Sequence, residues 1–94
     1  MEEEKKNFVP PEPDFTFFVT TLSLQASIAL GQIANPATSK TEIDLVQAKF
    51  LIDTLGMLQD KTKGNLNDGE YKLLENLLYD LRSIYLSKEK GEKK

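Results

Sequence analysis

The sequence predicts an all-α protein, a three-helix bundle completed by homo-oligomerisation. Three observations carry this. Apolar residues recur at helical spacing in three segments, each preceded by a residue that caps helices well. No run of alternating β-branched residues marks a strand. The first segment has no charged residue from Phe15 to Ser39, so it offers water little on any side. A small bundle does not need such a helix unless something covers it.

Helix 1 is expected after Pro13, with Asp14 as N-cap, running to about Ile33. Asn35-Pro36 stops it, because a residue before proline is pushed out of helical geometry. On a wheel of about 100° per residue, Phe15, Phe18, Val19, Leu22, Ala26, Ala29 and Ile33 form one stripe. Phe17, Leu24 and Ile28 form a second, nearly opposite. Hydroxyl and amide side chains lie between, Gln25 among them as a buried amide or an interface hydrogen-bond partner.

Helix 2 is expected to open with Thr41 as N-cap and Asp44 three residues on, a capping-box pattern. It runs to about Lys63, with Lys61 and Lys63 in the last turn, where the dipole favours cations. Leu45, Ala48, Leu51, Ile52, Leu55 and Leu58 cover one arc, and Ile43, Val46, Phe50 and Met57 extend it. Glu42, Lys49, Asp53 and Asp60 fall on one narrow strip. Gly64 follows as a left-handed cap residue.

Helix 3 is expected from the N-cap Asn67, with Glu70 completing a capping box, to about Leu86. Gly69 in its first turn is a mild flaw, about 1 kcal/mol against Ala in a helix interior. Tyr71, Leu73, Leu74, Leu77, Leu78, Leu81, Ile84 and Tyr85 fill one face. Lys72, Asn76, Asp80 and Ser83 fill the other, with Tyr79 as a lone exposed aromatic.

A monomeric bundle buries one stripe per helix. Helices 1 and 2 exceed that, so Phe17, Leu24, Ile28, Phe50 and Met57 are the expected interface. Residues 1–13 read as a charged, proline-rich, disordered leader, 14–86 as the helical domain and 87–94 as a disordered charged tail.

With 94 residues and a formal charge of -3, the chain suits neither nucleic acid nor an anionic membrane, since both reward basic patches. It contains neither cysteine nor histidine. Disulfides, thiolate chemistry, the usual triad base and the commonest transition-metal ligand are therefore excluded. No cofactor is expected. The acidic start is not a secretory signal, and hydroxyls and amides dilute helix 1 too heavily for a membrane span. A cytoplasmic location is expected.

Candidate chemistry is thin. Lys49 and Asp53, one helical turn apart, read as an exposed ion pair rather than a general base, because no second acid or base converges on them. The turn Lys61, Lys63, Gly64, Asn65, Asn67 could hold an anion at a helix start. Capping explains every one of those residues, and the pattern has one glycine and no preceding strand, unlike a phosphate loop.

The string Lys61-Thr62-Lys63-Gly64-Asn65-Leu66 is the most specific segment. With it come Leu24-Gln25-Ala26, Leu30-Gly31, Leu45-Val46-Gln47-Ala48, Ile52-Asp53-Thr54-Leu55, and Glu70, Leu74, Leu78, Leu81 and Arg82. Together they resemble a small bacterial family, domain of unknown function family 1844, over about Asp14 to Leu86. Gly69 stands where that family leads one to expect an acidic residue. The resemblance implies a compact helical cytosolic protein and no assigned activity. The expected function is that of a non-catalytic oligomerising or adaptor module. The alternative is a binding module for a small apolar ligand or an amphipathic partner helix.

Overall fold

The structure is a computed structural model and describes residues 12–92. Three helices follow in order: α1 (Phe15–Ala29), α2 (Leu45–Lys61) and α3 (Asp68–Glu92). No named strand occurs among the described residues; two isolated bridges, Leu30 to Ile43 and Asn35 to Lys40, sit in the α1–α2 loop. The central helix α2 packs on both neighbours, and α1 also touches α3. The chain is thus an all-α three-helix bundle.

Each helix start is a capping event. Asp14, in extended geometry, accepts the Phe17 amide at 3.0 Å. Asn67 and Glu70 form the expected reciprocal box: the Glu70 amide donates to Asn67 Oδ1 at 2.8 Å, and the Asn67 amide donates to Glu70 Oε1 at 3.0 Å. α2 departs from expectation. Its cap is Asp44, whose Oδ1 accepts the Gln47 amide at 3.1 Å, and not Thr41. The Asp44 amide donates to the Ala29 carbonyl at 2.8 Å, and Ile43 bridges Leu30. That pairing holds the chain extended up to Ile43, so the helix cannot begin earlier.

α1 also ends sooner, at Ala29 rather than Ile33. Gly31 has φ +77°, its amide donates to the Ile28 carbonyl, and the Gln32 amide donates to the Ser27 carbonyl. This pair of bonds is a Schellman motif, in which a left-handed glycine satisfies the last carbonyls and turns the chain aside. The stop comes from Gly31, upstream of Asn35-Pro36. Asn35 organises the loop instead: its carboxamide oxygen accepts the Ala37 amide at 2.8 Å.

α2 ends at Lys61 with Thr62 as C-cap, two residues before the expected limit. The Asn65 amide then closes a tight turn on the Thr62 carbonyl at 2.8 Å. Gly64, third in that turn, has φ +85°, as a type II turn requires. It is left-handed as expected, though it serves the turn rather than the helix cap itself. α3 runs on to Glu92, past the expected end at Leu86, so residues 87–92 of the expected tail are helical. The straight-chain residues Lys88, Glu89 and Lys90 carry good helix propensity, which continues the helix. Of the expected leader, residues 1–11 lie outside the described residues.

The core is Val19, Ala26, Ala29, Leu30, Ala48, Leu51, Ile52, Leu55, Leu74, Leu78 and Leu81. Val19, Leu30, Leu55, Leu74 and Leu78 are fully enclosed, each stabilising by about 1.5–3 kcal/mol. Ala26, Ala48 and Ser23 are buried and small, which lets α1 approach α2 closely. Two members of the expected α1 stripe are not core. Phe18 and Ile33 are exposed, Phe18 at the edge of the α1 face and Ile33 beyond the helix end. Tyr71 of α3 is exposed as well.

Candidate functional site

The surface left over after the core is filled is the candidate site. Phe17 is 59% exposed, Leu24 48%, Phe50 64% and Met57 46%. Each was expected to lie outside a single bundle. Ile28 is half-buried instead, at the rim of an open depression of about 340 Å³ shared with Gln25, Gln47 and Leu51. Gln25 is exposed rather than buried.

These residues fall on two helices and line different hollows. Around α1, Phe17, Thr21, Leu24 and Ile28 recur at spacings of four, three and four, opposite the buried side of the helix. Such spacing is the heptad seam of a coiled coil. The Thr21 hydroxyl donates to the Phe17 carbonyl at 2.9 Å, so the seam's one polar member has its hydrogen already placed. Around α2, Val46, Phe50, Asp53 and Met57 have the same spacing, again opposite the core. Val46 is 83% exposed there. That seam is interrupted by the Asp53 carboxylate, which accepts from Lys49 Nζ at 2.8 Å. Val46 and Phe50 line a hollow with Tyr85 of α3, whereas Phe17 lines one with Phe15 and Phe18. The periodicity of the exposed residues was in the sequence. The Thr21 and Asp53 positions complete it, and a purely apolar reading passes over both.

Lys49 and Asp53 form the exposed ion pair expected of them. The hydrogen bond to Asp53, and then its charge, raise the Lys49 ammonium above its ordinary range. Tyr85 and Glu89 add smaller effects in the same direction. Among the described residues, no three acidic side chains gather to hold a metal ion. Among the described residues, no helix is long and apolar enough to cross a membrane.

The turn residues Lys61, Lys63, Gly64, Asn65 and Asn67 are all exposed. Asn67 is engaged in the capping box. The hollow beside the turn is lined by Asp60 and Glu75 as well as Lys63. Those carboxylates offset the charge that an anion would need, and capping accounts for the turn.

Fold and surface together define a small helical bundle whose first two helices each carry an outward apolar seam. A family model described as a domain of unknown function (DUF1844) matches residues 12–87, and the chain belongs to that family. No curated protein and no solved structure matches it.

Proposed function

We propose that this protein is a non-catalytic interaction module that works by association: it self-assembles into a homodimer or higher homo-oligomer and acts as an adaptor. The observation that carries the reading is the uncharged seam of α1, exposed opposite the core at Phe17 and Leu24. A solvated helix face ordinarily carries charge; this one carries none. The second reading is a docking surface for an amphipathic partner helix, and the separateness of the two seams favours combining it with the first. The α1 seam would join copies while Val46, Phe50 and Met57 on α2 stay available to another protein. We assign this activity to the bacterial cytosol, in keeping with a chain that has no cysteine and a formal net charge of -3.

Sedimentation of the wild type, Leu24→Glu and Ile28→Glu tests the proposal. The wild type is expected to sediment as a dimer or larger at micromolar concentration. A glutamate placed in a dry contact should weaken association by about 3 kcal/mol or more. A folded wild-type monomer would overturn self-association. It would leave the apolar seams to a ligand or a partner helix.

A further inference from the structure

We propose that the hollow between the end of α1 and the start of α2 binds a cationic head on a short alkyl stem, the chemistry of an arginine side chain. The site stands apart from the self-association proposed above. The hollow has a volume of about 340 Å³ and is built by α1, the α1–α2 loop and α2. The fold already locks these stretches together. The Asp44 amide donates to the Ala29 carbonyl at 2.8 Å, and the Asn35 amide to the Lys40 carbonyl at 2.8 Å. Ile43 bridges Leu30 across the same loop. The walls are therefore set before a ligand arrives, and binding does not have to order them.

The charge of the hollow has one sign. Glu42 and Asp44 line it, and no lysine or arginine does. The hollow beside Lys63 sets that ammonium against Asp60 and Glu75, and the one beside Arg82 holds Lys49 and Asp53 as well. Both of those mix signs; this one does not. The helix termini leave the balance unchanged. α1 ends at Ala29 and α2 starts at Leu45, so a negative and a positive dipole end meet beside the hollow and offset each other. The carboxylates decide the sign.

Hydrogen-bonding capacity agrees. A guanidinium or ammonium only donates, so its site has to offer acceptors. One Asp44 oxygen caps α2 by accepting the Gln47 amide at 3.1 Å, and the second is not needed for the cap. Glu42 is exposed and brings two oxygens more. The Gln25 and Gln47 carboxamides add one each. Asn35 counts for less, because its oxygen already accepts the Ala37 amide at 2.8 Å. The apolar lining is Ile28, Ala29 and Leu51. A methylene stem lies well on such surface while its charged head stays at the wet rim. Both carboxylates are exposed, so each charge contact is weak and screened by salt. The site suits a low-affinity contact.

Heteronuclear NMR of the full-length chain tests the proposal with N-acetyl-argininamide, its neutral isostere N-acetyl-citrullinamide, and n-butylguanidinium. The two cations are expected to shift the side-chain amide resonances of Gln25 and Gln47, and the citrulline compound to leave them in place. The double variant Glu42→Gln, Asp44→Asn should weaken binding of the argininamide about tenfold. Asn keeps the helix cap, and the dispersion of the amide spectrum checks folding. Tighter binding of the argininamide than of n-butylguanidinium marks a protein side chain as the source of the cation, and equal binding a free small molecule. Equal shifts from the citrulline compound, shifts spread alike over Asp60, Glu75 and Asp80, or undiminished binding by the double variant would overturn the site. So would the absence of any shift at millimolar ligand. The double variant is expected to sediment as the wild type does, so failure of this site and failure of self-association are read separately.

Discussion

Two glycines share left-handed geometry but differ in what surrounds them. At Gly64 a Cβ would meet nothing within 4 Å, so a side chain suffers only the backbone strain. Gly64→Ala should cost about 1 kcal/mol, and Gly64→Asn less, because Asn tolerates left-handed geometry. At Gly31 a Cβ would lie 2.9 Å from Ile43 Cγ1. The same strain is then joined by a clash with the residue that bridges Leu30. Gly31→Ala should therefore cost roughly 2 kcal/mol or more. Urea unfolding of the three variants checks the order, and equal losses at both glycines would refute it. Charge at residue scale matters less. The raised Lys49 contributes its stability below the ordinary lysine value of 10.5, and loses it only as pH rises through the higher folded value. Stability near neutrality is expected not to depend on that titration.

The helices show what the sequence makes legible and where it stops. Helix number, order and type follow from periodicity and caps, and Asn67 with Glu70 are found in the reciprocal bonds their spacing implies. The central core leucines are equally legible, since 3.6-residue recurrence reports a buried face directly. The start of α2 and the C-terminal ends of all three helices are not. Thr41 and Asp44 are both good caps, and only the Leu30–Ile43 bridge, a contact between distant residues, selects the second. Asp44→Ala should destabilise by about 1 kcal/mol, whereas Thr41→Ala should change little, which thermal melting would resolve. Gly31 is a readable stop signal, but Asn35-Pro36 is the louder one in the sequence. Inside α2, Gly56 invites a further substitution. A Cβ there would lie 2.9 Å from Arg82 Nη2, the tip of a flexible side chain that can swing away. Gly56→Ala should stabilise by up to about 1 kcal/mol through helix propensity. A lower melting temperature would instead mean that the Arg82 guanidinium needs its seat on α2.

At the scale of the molecule, what is legible is the exposure of Phe17, Leu24, Phe50 and Met57. Their exposure follows from stripe counting. That the α1 and α2 stripes are separate seams follows only from how the helices are turned about a shared core. This separation makes the two faces independently addressable. Sites without shared partners act additively. Phe50→Glu changes the α2 seam, where Phe50 is 64% exposed beside Val46 and Tyr85. It should leave the sedimentation coefficient of the wild type unchanged, because the proposed α1 contact is untouched. It should also lower the binding of a hydrophobic dye by the native assembly, because the α2 seam would remain uncovered in the dimer. Leu24→Glu should do the reverse, dissociating the assembly and exposing the rest of the α1 seam to the dye. If Phe50→Glu dissociates the assembly as fully as Leu24→Glu, the two seams belong to one interface, and the α2 face is not free for another partner.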